Sequence, residues 1–284
     1  MISAVVMNYN GGDGVLRTIN SIKKADEIIV VDDNSTDNSV QMIKSQFPNV
    51  KIIENKKTCW VAKCRNQAID KASGDIILFI DCDVYLKEGF DNMVKNIEGV
   101  DIVSPHVYYE SGVLQHPKKH GRRTNWSSAC FMIRREVVDK IRFDEIYNFY
   151  FEDWDFFLRA KLLGFTSKYS SAVAIQCFKN EITNHELKLY FRVRNLLYYY
   201  LKFRNLSDVE RRRFKDVFLE LTGTFIICLL NYSWRKKMEN PKLFTKKKDK
   251  MKITERSRAY LVYLFFKAIL WNLKRKSMIK PVVF

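Results

Sequence analysis

Three apolar runs early in the chain stop at polar side chains, and an amphipathic stretch follows each. "ISAVVMNYN" ends in Asn8, Tyr9 and Asn10, "EIIVVDDNSTDNS" runs into Asp32 and Asp33, and "DIILFIDCDVYL" contains Asp81 and Asp83. Between them lie "GGDGVLRTINSIKKA", with Val15, Leu16, Ile19 and Ile22 at helical spacing, and then "DNSVQMIKSQF" and "CWVAKCRNQAIDKA". Short apolar runs read as buried strands, "VKIIEN" adds one more, and strand alternating with helix argues for βαβ units in a mostly parallel sheet. The expected class is α/β. Carboxylates are seldom buried without a partner. In an open α/β sheet ligands bind beyond the carboxyl ends of the strands, so these polar tips are expected to emerge around one crevice.

Asp81 and Asp83 are two residues apart. In an extended chain they project to one side, roughly 6–7 Å apart, where one hard divalent cation can meet both. Taken alone, a D-x-D also describes a solvated turn. Ser35 or Thr36 is placed to cap the second helix. Further on, "SSACFMIRREVVDKI" reads as a strand and then a helix. "FDEIYNFYFEDWDFFLRAKLLGF" reads as an aromatic loop entering a helix that Gly164 ends. Glu152, Asp153 and Asp155 fall in the first turn of that helix, where acidic groups offset its dipole. Trp154, Phe157, Leu158 and Leu162 follow at the spacing of a packed face.

The segments "VVMNYNGG", "VVDDNSTDNS", "AKCRNQAI", "ILFIDCDV" and "FEDWDFFLRAKLLGF", in this order and at these distances, resemble the family 2 inverting glycosyltransferases. They are most similar to the branch of rhamnosyl- and galactofuranosyl-type enzymes of polysaccharide assembly. The resemblance covers about residues 1–205. It implies the GT-A fold, a Rossmann-like nucleotide-binding half (about 1–100) joined to an acceptor half (about 101–205). It also implies a metal-dependent, single-displacement transfer from a UDP-, dTDP- or GDP-sugar to a hydroxyl of a glycan or lipid-linked acceptor. Asn8, Tyr9 and Asn10 would line the base pocket, Asp33 would bond the base and Asp32 would support it. Arg65 would hold the nucleotide, Asp81 would meet the ribose or the metal, and Asp83 would coordinate Mg2+ or Mn2+. Asp153 matches the catalytic base, with Glu152 its competitor. In "NHELKLYFRVRNLLYYYLKF" the branch pattern suggests His185 as a further metal ligand, followed by Arg194, Asn195 and Tyr198. His116 and His120, in "QHPKKH", read as part of a basic loop without a metal role. Ser127, Ser128 and Ala129 stand where the branch usually has a glycine.

Charge divides the chain. Residues 1–184 carry 24 basic and 24 acidic side chains, whereas residues 185–284 carry 25 basic and 8 acidic, which accounts for the whole net charge of +17. A basic tail after a neutral body suggests an anionic partner. Two apolar patches, 221–230 and 259–273, fall short of the roughly 20 residues of a spanning helix, and the lysines, arginines and tryptophans (Trp234, Trp271) around them suit an anionic membrane surface. The other reading of these patches is a pair of core-facing helices. The tail, 206–284, is therefore expected to be a basic amphipathic helical region. The chain opens on a strand with no basic leader, and its six cysteines are scattered without a CxxC pair. Both features are expected of a cytoplasmic protein with reduced thiols, peripheral on the inner face of the cell membrane. Two rival readings stand beside this one. A sugar-phosphate nucleotidylyltransferase shares the architecture but wants a basic glycine-rich loop that "MNYNGGDG" lacks. A nucleic-acid-binding protein suits the tail but not the neutral body with acidic strand ends, so no nucleic-acid partner is expected.

Overall fold

Alternating side chains on neighbouring strands divide the apolar residues between the two faces of one sheet. In a computed structural model of the chain, residues 1–115, 127–177, 185–206, 217–219, 221–223 and 258–282 are described. The strands are β1 (Ile2–Asn8), β2 (Glu27–Asp32), β3 (Lys51–Glu54), β4 (Ile76–Asp81), β5 (Val84–Glu88), β6 (Ile102–Tyr109), β7 (Cys130–Arg134) and β8 (Ser167–Gln176). They form a single sheet in the order β3-β2-β1-β4-β7-β6-β8-β5. The β3-β2-β1-β4 half is parallel, and β7 joins β4 antiparallel. Beyond β7, the β6–β8 pair is parallel, while β5 closes the far edge antiparallel to β8.

Val5, Ile29, Ile77 and Phe79 point to the face covered by α3 (Trp60–Lys71), α5 (Arg135–Lys140) and α6 (Glu152–Leu162). Val6, Val30, Leu78 and Ile80 point the other way, toward α1 (Gly14–Ser21), α2 (Ser39–Gln46) and α4 (Phe90–Ile97). The period of two along each strand makes this division, and burial on both faces explains the unbroken apolar runs. The register then sets the crevice. Asn8 lies beside Asp32 and Met7 beside Asp81, so the polar tips of β1, β2 and β4 stand side by side at one edge.

The structure corrects three readings. "DIILFIDCDVYL" is two strands: it breaks at Cys82 and Asp83, and β5 leaves for the far edge, where Val84 pairs with Gln176. Asp81 and Asp83 are therefore not alternate positions of one extended strand. Asp81 ends β4 and Asp83 sits in the turn, its carbonyl accepting from Cys177 N at 2.8 Å. Neither Ser35 nor Thr36 caps α2. Asn38 holds the cap position without a side-chain bond, because Ser35 is engaged with Asp32 instead. Strands β6 and β8 were not read from the sequence at all. Gly164, at φ +86, follows α6 as expected, and its N–H bonds the carbonyl of Lys161.

By packing, the chain divides into two units, Met1–Ile182 and Thr183–Phe284. The sequence reading put the change near residue 205, since motifs rather than packing marked it. In the second unit α7 (His185–Lys202) packs on α8 (Arg258–Arg275) through Val193, Phe265 and Ala268. Asn272, buried on α8, donates from its side chain to the carbonyl of Arg194 at 2.8 Å. Among the described residues no helix is long and apolar enough to cross a membrane.

Gly89 gives the fold a sharp test. Its φ is +90, and a Cβ there would lie 2.6 Å from the Cα of Ala172 on β8. Gly89→Ala is expected to cost about 1–3 kcal/mol from the left-handed backbone alone, with the backbone clash adding to it. Denaturant unfolding reads the loss, and an unchanged midpoint would show that β8 does not pass there.

Candidate active site

Four carboxylates and one guanidinium organise the crevice edge. Arg65 projects from α3 and is only 1% exposed. Its Nη2 donates to the carbonyl of Ser128 at 2.9 Å and lies 3.6 Å from Asp81 Oδ1, while Nη1 lies 3.5 Å from Glu152 Oε1. The guanidinium sits over the rings of Phe143 (5.2 Å to the centroid) and Phe131 (5.8 Å). A planar, delocalised cation suits such aromatic walls better than an ammonium does. Three buried polar atoms here have no hydrogen-bond partner: Nε and Nη1 of Arg65, and Oε2 of Glu152. Unsatisfied groups are uncommon in native interiors, and a cluster of them marks a place completed by something else.

Asp81 keeps 32% of its side chain exposed at the crevice, whereas Glu152 keeps 8%. Burial pushes the Glu152 carboxyl up to about 8; Asp153 adds to the shift, Arg65 opposes it and Asp81 contributes last. Asp81 is pushed up to about 7, first by desolvation, with Arg65 pulling down and Asp83 and Asp153 pushing up. One buried cation does not balance this much negative charge, so the site retains a demand for positive charge or for protons.

Asp83 reaches the same neighbourhood from the turn after β4. A directional chain of side chains supports it. Ser127 Oγ donates to Gln115 Oε1 at 2.5 Å, Gln115 Nε2 donates to Gln176 Oε1, and Gln176 Nε2 donates to Asp83 Oδ2 at 3.2 Å. The sequence reading missed Gln115, Gln176 and the Ser128 carbonyl. Gln176 carried a signal, a polar residue at the carboxyl end of the alternating stretch "SSAVAIQ", but it is neutral and so stood out less than the aspartates.

The base-pocket candidates divide by exposure. Tyr9 is 40% exposed at the crevice edge, but Asn8 is buried and its amide donates to Asp32 Oδ1 (2.6 Å) and Ser39 Oγ (3.0 Å). Asp32 also accepts from the Ser35 backbone at 3.0 Å. Asn10, at φ +50, takes the N–H of Thr36 at 2.7 Å and of Asp37 at 3.2 Å on its side-chain oxygen. Asn8, Asn10 and Asp32 therefore staple the loops after β1 and β2 to each other. Gly11 is required there, since a Cβ would stand 2.1 Å from Asn8 Oδ1. Asp33 accepts the N–H groups of Cys59 (2.6 Å) and Trp60 (2.9 Å), which fixes the start of the helix that carries Arg65.

Asp153 is half-buried in the first turn of α6, where its Oδ1 accepts the N–H of Trp154 at 2.8 Å. Asn148, Tyr150 and Phe151, just before it, have φ of 58, 69 and 70. Three non-glycine residues in this region within four positions amount to stored strain, of a kind found where function dictates backbone shape. Asp155 is structural: it is fully buried and bonded to Tyr147 Oη (3.2 Å) and Arg159 Nε (2.6 Å). His185 opens α7 in the second unit, but its side chain, like all of His116 and His120, lies outside the described residues.

Among the described residues, no group of three or more histidine, cysteine or acidic side chains is arranged to hold a metal by itself. The carboxylate excess around Arg65 nevertheless fits a hard divalent cation that takes one or two protein carboxylates and draws its remaining ligands from phosphate and water.

The model of the family described as glycosyl transferase family 2 matches residues 3–152. An uncharacterized glycosyltransferase of Bacillus subtilis, YwdF, is 29% identical over 188 residues, which is 56% of this chain and 67% of the relative. The amylovoran biosynthesis glycosyltransferase AmsB of Erwinia amylovora is 25% identical over 195 residues, 57% of this chain and 64% of its own. In three dimensions, Staphylococcus aureus TarS in complex with UDP aligns with a TM-score of 0.57 at 20% identity, over 98% of this chain and 83% of that one. A mannosyltransferase of Pyrobaculum calidifontis, in complex with GDP-Man and Mn2+, aligns at 0.54 and 14% identity, over 96% and 75%. At these identities the likeness establishes the fold, which is GT-A-like.

The electrostatics make a pH prediction. The folded pKa of Glu152 lies above its unfolded value, so the folded protein holds a proton that the unfolded chain has released. Its contribution to stability is present below the unfolded pKa, 4.5, and is lost as pH rises toward about 8. In EDTA and without nucleotide, the unfolding midpoint should fall across this window, and Glu152→Gln should flatten the fall. An unaltered pH profile in that variant would overturn the assignment.

Proposed function

The chain belongs to glycosyl transferase family 2, and from that premise we propose that it moves a sugar from a nucleotide diphosphate to an acceptor hydroxyl with inversion. The observation that carries the reading is the convergence of Asp81 and Glu152 on Arg65 at the carboxyl edge of the parallel strands, with Asp153 near enough to both carboxyls to raise them. In this reading the nucleotide lies across the tips of β1, β2 and β4. Tyr9 offers its exposed ring to the base, and Asp33, buried and already accepting the N–H groups of Cys59 and Trp60, would bond the base with its remaining lone pairs, while Asn8, Asn10 and Asp32 keep the loops in place.

Asp153 is the base. Its carboxylate takes the proton of the acceptor hydroxyl as that oxygen bonds to the anomeric carbon. The bond from that carbon to the diphosphate oxygen breaks in the same displacement, so the anomeric centre inverts and no covalent enzyme intermediate forms. Burial raises the pKa of the Glu152 carboxyl, which is turned toward Arg65, and this leaves the half-buried Asp153 to face the acceptor. Asp83 and Asp81 would hold Mg2+ or Mn2+, which supplies positive charge to the departing diphosphate. Arg65 keeps Asp81 in position from below.

UDP-, dTDP- and GDP-sugars are the donor candidates, and TarS and the Pyrobaculum mannosyltransferase bind UDP and GDP-Man respectively. A hydroxyl of a glycan or lipid-linked saccharide at the inner face of the cell membrane is the acceptor of this reading. Assignment to the rhamnosyl- and galactofuranosyl-type branch rests on the segment 184–203, including His185 as a metal ligand, and is part of the same proposal.

Two measurements test it together. Calorimetry with UDP, dTDP and GDP, each with and without Mn2+, should find one nucleotide bound, and more tightly with the ion. Asp153→Asn should bind that nucleotide as the wild type does while transfer falls by about 10²–10⁴-fold. Near-normal transfer by the variant would remove Asp153 from the chemistry.

A further inference from the structure

Helix α8 carries large apolar side chains on two sides, one buried and one exposed. Leu264, Phe265 and Ala268 are buried, and they belong with Val193 of α7 or lie beside those that do. On the other side Tyr263 (54% exposed), Phe266 (48%), Leu270 (51%) and Leu273 (60%) follow one another at i, i+3, i+7 and i+10. That spacing is a single stripe along the helix. An exposed stripe of four large apolar side chains is more than the scattered apolar residues of an ordinary surface.

Charge identifies what suits it. Lys267 and Lys274 lie on the exposed side, and no acidic residue occurs anywhere after Glu255. The Lys267 ammonium stands 5.7 Å from the ring centroid of Tyr263 and 5.9 Å from that of Tyr190 on α7. Apolar side chains in the middle, lysines at the flank and no carboxylates make the pattern of a helix that lies in a lipid interface. Such a surface attracts lysine and arginine when its headgroups are anionic. The helix lacks the length and apolarity to cross a bilayer. Trp271, an anchor in the sequence reading, is turned elsewhere: it is sandwiched between Arg194 (4.9 Å) and Arg275 (4.5 Å). Trp234 lies outside the described residues.

We propose that the Tyr263–Phe266–Leu270–Leu273 face of α8 lies on an anionic lipid surface, with Lys267 and Lys274 against the headgroups. This deepens the membrane part of the reading above and is independent of its chemistry, because lipid binding needs neither nucleotide nor transfer.

The test uses the full chain and sedimentation with phosphatidylcholine vesicles, with and without phosphatidylglycerol. The wild type should sediment with the anionic vesicles and much less with the neutral ones. Phe266→Glu with Leu270→Glu should lower the apparent affinity at least about tenfold, since it removes two of the four apolar side chains and adds two charges of the headgroups' own sign. Lys267→Glu with Lys274→Glu should lower it as well and weaken its dependence on salt. Both pairs are at the surface, and an unchanged circular dichroism spectrum confirms that the variants fold. Equal binding to both vesicle types, no binding to either, or wild-type affinity in the Phe266/Leu270 variant would each overturn the proposal. So would a wild-type dimer that the same variant dissociates, which would show that a second copy of the chain covers the stripe. Nucleotide binding that persists in any of these cases would leave the glycosyltransferase reading standing.

Discussion

The crevice depends on one buried cation. Arg65 is held from below by the aromatic rings of Phe131 and Phe143, from the side by the Ser128 carbonyl, and from above by the carboxylates of Asp81 and Glu152. Each partner comes from a different place in the chain: Asp81 from the end of β4, Ser128 from the turn before β7, Phe131 from β7, Phe143 from the segment after α5, and Glu152 from the start of α6. Removing a buried charge from such a set leaves the others uncompensated, which is far costlier than any single surface pair. The same set is under-neutralised, since Glu152 and Asp81 are both driven toward their protonated forms. Burial is the largest cause of both shifts, and the neighbouring carboxylates add to it.

The loops around the cation are fixed by a different device. Short polar side chains tie the loops after β1 and β2 together: the Asn8 amide donates to the Asp32 carboxylate, Asn10 accepts the N–H groups of Thr36 and Asp37, and Asp37 accepts that of Gly12. These residues look like ligand contacts in the sequence because they are polar at strand ends. Most of them bond one loop to the other, and exposure separates these from the residues that face the crevice. Asn8 is 1% exposed and Tyr9 40%, although they are neighbours in the chain. Sequence position could not make that distinction.

Much of the first half was legible because parallel strands buried on both faces leave a strong mark, a run of apolar residues with a polar end. β1, β2 and β4 carry it. β6 contains Pro105 and β8 opens with "SKYSS", so neither stands out from loop sequence, and both find their place only by pairing with each other. The break at Cys82 and Asp83 was hidden for the opposite reason. "VYL" continues the apolar run without a turn residue, and what ends β4 is a long-range preference of β5 for β8. Arg65, Asp81, Glu152 and Asp153 were legible as a set through their motifs. The Gln115–Gln176 chain that supports Asp83 was not, because neutral amides gain meaning only from the partner they meet.

In the second unit one helix has side chains for both readings of the basic tail. Its apolar residues were expected either to pack as core or to face lipid. An eighteen-residue helix with apolar side chains on both sides has room for both. The face with the small Ala268 approaches α7 closely, and there the buried amide of Asn272 bonds the backbone of Arg194. A buried polar contact of that kind favours one register of the helix pair, since a slip would leave the amide without its partner. With the register set, the stripe from Tyr263 to Leu273 has no choice but to point outward. Packing on one side of α8 therefore dictates which residues the other side presents, and the lysines between them determine which sign of surface it can meet.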